Sequence, residues 1–318
     1  MLGNFQIAGA TRNQLSQKMI NQTKGNPMKK LLFAICMLLA SFTANAYQTY
    51  SAAGTSDTVI VVNPATGKPV LQQDTINSLN SGQPTRTFGY VFGRNSAVNN
   101  VRCDLWDGPT CTYVFPTAAQ QMTIVSSSAS DTLAGTGAQK VMIHYLDNNY
   151  NMQAETISLN GTTPVNTVAT NILRINAFHI YQLGSGGASV GNISVKNLAG
   201  AVTYSYVQLG YDAARQAIYT VPSGMVGYIN HWQASSGTAS GSHFTRIALR
   251  ATAHEGNLLP GVFRAIDEVG TLNNGMEITL PIPIRIPAMA DVKMTAISDS
   301  ASANAITMGA IMGWFETQ

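Results

Sequence analysis

The 318 residues are 45% hydrophobic and only 10% charged, against roughly 25% charged in an average soluble domain. Five of the 18 basic residues (Arg12, Lys18, Lys24, Lys29, Lys30) fall in the first 46 positions, where no acid occurs, so the formal charge of +3 leaves a nearly neutral remainder. This composition excludes a charged disordered tail and a coiled coil. It also lacks the basic patch of a nucleic-acid binder.

Residues 28–46, MKKLLFAICMLLASFTANA, carry the three parts of a secretory signal. Lys29 and Lys30 form the positive region, Leu31 to Ala40 the apolar run, and Ala44-Asn45-Ala46 the small-residue cleavage site. The run is short of the roughly 20 residues a spanning helix needs, so no stable membrane span is expected after cleavage. Residues 1–27 read as an extension upstream of that signal. Residues 47–102 read as an extended arm with one small hairpin, Thr58–Val62 against Pro69–Gln72 around an Asn-Pro-Ala-Thr-Gly turn.

From Cys103 the pattern becomes that of short strands joined by turns. Strands are expected at 112–115 and 122–126. Lys140 to Leu159 reads as a hairpin in which Val141, Ile143 and Tyr145 alternate before the turn Asp147–Asn151, and Ile157 and Leu159 return. Strands at 165–169, 172–180 and 193–195 follow. The pattern fades near 204–215, which places a boundary between a first sandwich at 103–207 and a second, sandwich or jelly-roll-like, at 208–318. In the second, strands are expected at 217–221, 225–232, 244–252 and 292–296, and Met308, Ala310, Met312 and Trp314 are expected to close the core.

The stretch Met276–Ile286, MEITLPIPIRI, alternates apolar even positions with polar or proline odd ones, the period of a half-buried strand. Proline cannot donate to a ladder, so Pro281 and Pro283 place this strand at a sheet edge or against a partner that leaves those sites unpaired. The reading puts Ile282 on the buried face. Pro281, Pro283 and Arg285 stand on the opposite face as candidate interface residues.

Candidate chemistry is sparse. Cys103 and Cys111 remain after signal removal; their even number fits an oxidising compartment and a short bridged loop, with two unpaired thiols as the alternative. Asp147-x-Asn149-x-Asn151 opens like a calcium loop, but Met152 and Ser158 stand where the glycine and the bidentate acid belong. A turn explains the same residues. His144, His179, His231, His243 and His254 show no metal-ligand spacing. The acid pairs Asp104/Asp107 and Asp267/Glu268 alone do not make a glycosidase. Gly184 to Gly187 lacks the lysine and helix of a phosphate loop and reads as a bend. Trp106 and Tyr150, both in turns, are the candidate exposed contacts. No catalytic, cofactor or metal site is assigned, and the chain reads as a non-enzyme.

The phrases DLWDGPTCTYVFP, SSSASDTLAGTGAQKVMIHYLDNNYNMQAETISLNGTTPV, YTVPSGMVGYINHW, LLPG and PIPIRIPAMADVKM together resemble poorly characterised virion proteins of tailed phages, over roughly residues 103–318. The resemblance implies a head-decoration or fibre-like part made of tandem β-sandwiches, usually a homo-oligomer in contact with other virion proteins. It carries over no functional residue. Virion parts assemble in the cytoplasm, whereas residues 28–46 read as an export signal. The location expected is therefore a virion, or the exterior or periplasm by way of that signal. The second reading is an exported carbohydrate-binding or adhesin-like module with surface glycans as partners.

Overall fold

The structure, a computed structural model, describes residues 48–50, 60–62, 86–238, 243–253 and 262–317. The expected upstream extension, signal and 69–72 strand lie outside them. The chain forms two units, Met1–Ser81 and Gly82–Gln318. In the first, β1 (Gln48–Tyr50) pairs antiparallel with β2 (Ile60–Val62), so the partner of Ile60–Val62 is a segment preceding it.

The second unit is all-β, with no helix among the described residues. It holds two sandwiches. One is built from strands numbered β5 to β11 in chain order. Its first sheet has the order β11 (Thr203–Val207), β10 (Ile193–Asn197), β5 (Met122–Ser126), β8 (Val165–Asn166); the second has β7 (Met152–Ser158), β6 (Ala138–Asp147), β9 (Ile172–Leu183). Met122, Ile124, Ile193 and Val195 from the first sheet meet Val141, Ile143, Ile157 and Phe178 from the second in one buried core. These are the alternate positions of each strand, as a two-layer packing requires. Residues 112–115, expected as a strand, form none.

The other sandwich pairs the order β12 (Ile218–Thr220), β17 (Asp291–Ser298), β14 (Phe244–Ala251), β15 (Arg264–Leu272) with the order β16 (Gly275–Ile286), β13 (Met225–Gly237), β18 (Ala305–Thr317), β3 (Arg86–Val98). The short β4 (Cys103–Asp104) joins β17 beyond the end of β12. Its core gathers Ile229, Trp232, Ile247, Leu249, Val292, Met294 and Ile311.

The boundaries differ from those expected. Residues 86–98 are a full strand on β18, and Cys103–Asp104 pairs with β17. The chain begins the C-terminal sandwich, leaves it after Leu105 to build the other, and returns at Ala217. Exit and return are tied together, because the Ala217 N–H donates to the Leu105 carbonyl at 2.8 Å. Both backbones press on Gly93 of β3, where any side chain would collide with them. The N-terminal sandwich is thus an insertion in the C-terminal one.

Within the inserted sandwich, Asp131 is fully buried. Its Oδ1 accepts from the N–H of Ala138 (2.8 Å) and Val190 (2.9 Å), and its Oδ2 from the Gly191 N–H (2.8 Å) and the Ser126 hydroxyl. One carboxylate therefore gathers three separate loop segments. Burial of that charge is offset by donors to both oxygens.

Candidate functional site

Charged residues in this chain are few, so where they are buried is informative. On β17 the core face is Val292, Met294 and Ala296. The opposite face carries Asp291, Lys293 and Thr295, and alternation alone would make it wet. All three are buried: Arg174 of β9 lies against Asp291, Asp104 and the Phe263 ring against Lys293, and the Arg102 guanidinium donates to the Thr295 hydroxyl at 3.1 Å. Arg174 of β9 donates to Asp291 through Nε (2.9 Å to Oδ1) and Nη2 (3.2 Å to Oδ2). The Thr220 hydroxyl adds a further donor to Oδ1. Burial alone would lower the Arg174 pKa; the hydrogen bond and charge of Asp291 outweigh it and hold the guanidinium above its ordinary value.

Two residues along β17, Lys293 Nζ lies 2.8 Å from Asp104 Oδ1 and 4.4 Å from the Phe263 ring centroid. Asp104 Oδ2 also accepts the Tyr113 N–H at 2.7 Å. The Asn176 side chain adds a reciprocal pair with the Thr220 backbone, both bonds at 2.9 Å. Gln216 donates to the Ile175 carbonyl at 3.2 Å and accepts from Ser205 at 2.7 Å. The cluster is neutral, with two cations against two anions, and both oxygens of Asp104 and Asp291 are engaged. Within it the Arg174–Asp291 pair ties the sandwiches together by charge-assisted bonds, and Lys293–Asp104 ties β17 to β4.

The expected site residues fall as follows. Cys103 and Cys111 are joined as a disulfide, Cα to Cα 4.6 Å. Trp106, expected to be exposed, is 2% exposed: its Nε1 donates to the Thr110 carbonyl (2.8 Å) and its ring meets Tyr113 edge-on at 5.2 Å. The bridged loop folds the indole inward. Tyr150, expected to be an open contact, is half-buried at φ 61 in the hairpin turn. Its carbonyl accepts the Ser223 N–H at 2.8 Å, and Arg174 stands 5.9 Å from its ring centroid.

The turn itself is organised by Asp147, whose Oδ1 accepts the N–H groups of Asn149 and Asn151 at 2.8 and 2.9 Å. Burial would raise this carboxyl, but those donors outweigh it and keep it below the ordinary range. Asp107 has turned away from Asp104 toward Arg94, at 3.3 Å. Burial pushes its carboxyl up against the pull of Arg94 and Arg215. Asp267 accepts the Trp232 indole N–H at 3.0 Å, while Glu268 faces Arg102 and Arg246. His144 and His179 stack at 5.4 Å, His231 approaches Glu277 and His243 approaches Asp299; His254 lies outside the described residues. No group of three or more His, Cys, Asp or Glu that could hold a metal occurs among the described residues. No described helix is long and apolar enough to cross a membrane.

The proline strand departs from expectation at its centre. β16 is indeed an edge strand, bound to β13. Its register runs Ile284 on Ile229 and then jumps to Thr279 on His231. Leu280 to Pro283 therefore bulge out of the ladder, because neither proline can donate to it. Ile278, Leu280, Ile284 and Ile286 still pack on the core, but Ile282 is 81% exposed and Met276 42%. Pro281 is exposed, and Pro283 and Arg285 are half-buried.

On β18 the phase is also reversed. Ala305, Ile311 and Phe315 face the core, so Met308, Ala310, Met312 and Trp314 lie on the outer face. There Trp314 is covered by stacking on Tyr228 at 5.2 Å, and its Nε1 donates to Glu316 at 2.9 Å. On the same face Tyr90, Ile306 and Met308 stay open, at 51%, 45% and 37% exposed. The outer face of this sheet is thus aromatic and methionine-rich. Across it runs a trough of about 430 Å³, lined by Phe92, Gln233, Ser235, Met276, Glu277 and Met308 among others.

No family model matches the chain, and no curated protein matches it. Among solved structures, that of infectious bursal disease virus, Gt strain, is 8% identical with a TM-score of 0.17, covering 76% of this chain and 75% of that one. The Gx strain structure gives 9% and 0.20, over 77% and 76%. At these values the likeness to virus particles carries no argument about function.

Proposed function

We propose that the protein is a non-enzymatic structural subunit of a surface assembly, and that the assembly is the exterior of a phage virion. One observation carries the reading: open apolar side chains on the outer face and edge of one sheet. Tyr90, Ile306 and Met308 stand open on the outer face of one sheet and Ile282 on its β16 edge, and exposed apolar area of this kind marks interaction surfaces. The low charge fits burial of much of the surface against neighbours. The virion setting rests on the sequence resemblance alone.

The test is the mass of the full chain in solution by light scattering. More than one subunit per particle is expected; a monomer at micromolar concentration contradicts the reading.

The trough favours a second reading, an adhesin-like module. Phe92, Gln233 and Glu277 line the trough together, and their ring, amide and carboxylate are the kinds of stacking face and polar group that a sugar uses. Saturable, Phe92-dependent binding in a panel of soluble oligosaccharides would establish it, and no binding across the panel would remove it.

A further inference from the structure

The assembly reading leaves open which surface meets which. We propose that β16 meets β16 of a second copy, antiparallel and edge to edge, about a two-fold axis at Pro281. This deepens the assembly reading and rests on it.

Three features of the strand point to self-pairing. The first is charge. Glu277 pairs in register with Gln233, and Arg285 with Tyr228, so both lie on the outer face of the sheet. They stand four residues to either side of Pro281. Antiparallel pairing centred on Pro281 brings residue 277 of each copy opposite residue 285 of the other. With the axis perpendicular to the sheet both outer faces point the same way, and two Glu–Arg pairs form from one strand. Glu277 is free to do this, being 74% exposed and reaching His231 at 3.5 Å.

The second is the apolar centre. Between those charges lie Leu280, Pro281, Ile282 and Pro283, with Ile282 81% exposed. Near the axis the two Ile282 side chains and the prolines cover one another, giving an apolar middle with a charged rim, the usual anatomy of an interface. The third is the bulge. The Leu280–Pro283 segment is out of the ladder, so continuous strand addition is blocked at the centre, as edge prolines and bulges do. Contact is therefore made by side chains, and a two-fold pairing of one surface with itself closes at two copies.

The test uses the full chain with Pro281→Cys, and Val168→Cys as the control, Val168 being 86% exposed in the inserted sandwich. Under mild oxidation Pro281→Cys should give a covalent dimer on a non-reducing gel, and Val168→Cys should not. In parallel, Glu277→Arg and Arg285→Glu should each weaken association by roughly tenfold or more, through like-charge contact, and the double variant should restore it. If the native chain is multimeric but Pro281→Cys cross-links no faster than Val168→Cys, or the double variant shows no recovery, the β16 pairing is overturned and the assembly reading stands. A monomeric native chain removes both.

Discussion

Arg174 on β9 holds Asp291 on β17 through both carboxylate oxygens, at 2.9 and 3.2 Å, and is the only guanidinium to do so across the two sandwiches among the described ion pairs. Breaking one side of such a pair leaves a charge in a site built to exclude water. Arg174→Ala or Asp291→Ala should therefore cost about 3–5 kcal/mol, read as a lower midpoint in urea. Replacing both by apolar residues of similar size, Arg174→Met with Asp291→Leu, should recover much of the loss. A single variant within about 0.5 kcal/mol of the native chain would contradict the role given to this pair.

Asp131 anchors three loop segments through both its oxygens. Asp131→Ala leaves the Ala138 and Gly191 N–H groups buried without that acceptor, and the part-buried Val190 N–H loses it too. A loss of about 3 kcal/mol or more is expected, since each unpaired buried donor costs roughly 1–3 kcal/mol. Thermal unfolding measures it. An unchanged Tm would show that solvent enters and takes over the donors.

The Cys103–Cys111 disulfide closes a short loop that holds Asp104 against Lys293 and folds Trp106 inward. Its loss should cost about 2–3 kcal/mol by the loop-entropy estimate. Comparing Cys103→Ser/Cys111→Ser with the native chain by denaturation measures this. Intact mass before and after reduction shows whether the bond is present in exported protein. Two freely alkylated thiols in that material would contradict it.

His179 stacks on His144, and its pKa is lowered first by burial and then by His144, with Asp212 opposing. A lowered folded value means that the unfolded chain takes up the proton first. The stabilisation is therefore present above the ordinary histidine pKa of about 6.5 and is lost as pH falls through the lower folded value. Tm should drop between about pH 7 and pH 5, and His179→Gln should flatten that part of the profile. An equally steep profile in the variant would assign the effect to other groups.

The fold class was legible because apolar alternation is a local property. Residues 122–126 form β5 as read, and the Asp147–Asn151 turn joins its two strands. Ile247 and Leu249 of β14 face the core while Arg246 and Arg250 do not. What alternation could not show was partnership. Alternation alone would make Asp291 and Lys293 the wet face of β17, because nothing local announces that Arg174 and Asp104 will cover them. Residues 86–98 read as an arm, because their polar and glycine-rich pattern becomes a strand only beside β18. Trp106 sat in a turn and looked open, though a bridged loop can fold a side chain inward. Ile282 followed a perfect period, yet Pro281 and Pro283 break the ladder that keeps the period in register. The prolines were the available signal: two at adjacent odd positions favour a bulge, not merely an edge.

That bulge separates folding from association at a single residue, Ile282. Ile282→Asp places a carboxylate on an 81% exposed position. Its effect on folding should stay within about 0.5 kcal/mol, as for other exposed substitutions, whereas an apolar contact between copies cannot accept an unpaired charge without loss. The deciding measurement is light scattering of the full native chain beside Ile282→Asp, with Tm recorded for both. The account predicts a native particle of more than one subunit, and an Ile282→Asp chain of unchanged Tm that falls to monomer at the same concentration. A native chain that is itself monomeric at micromolar concentration would contradict it.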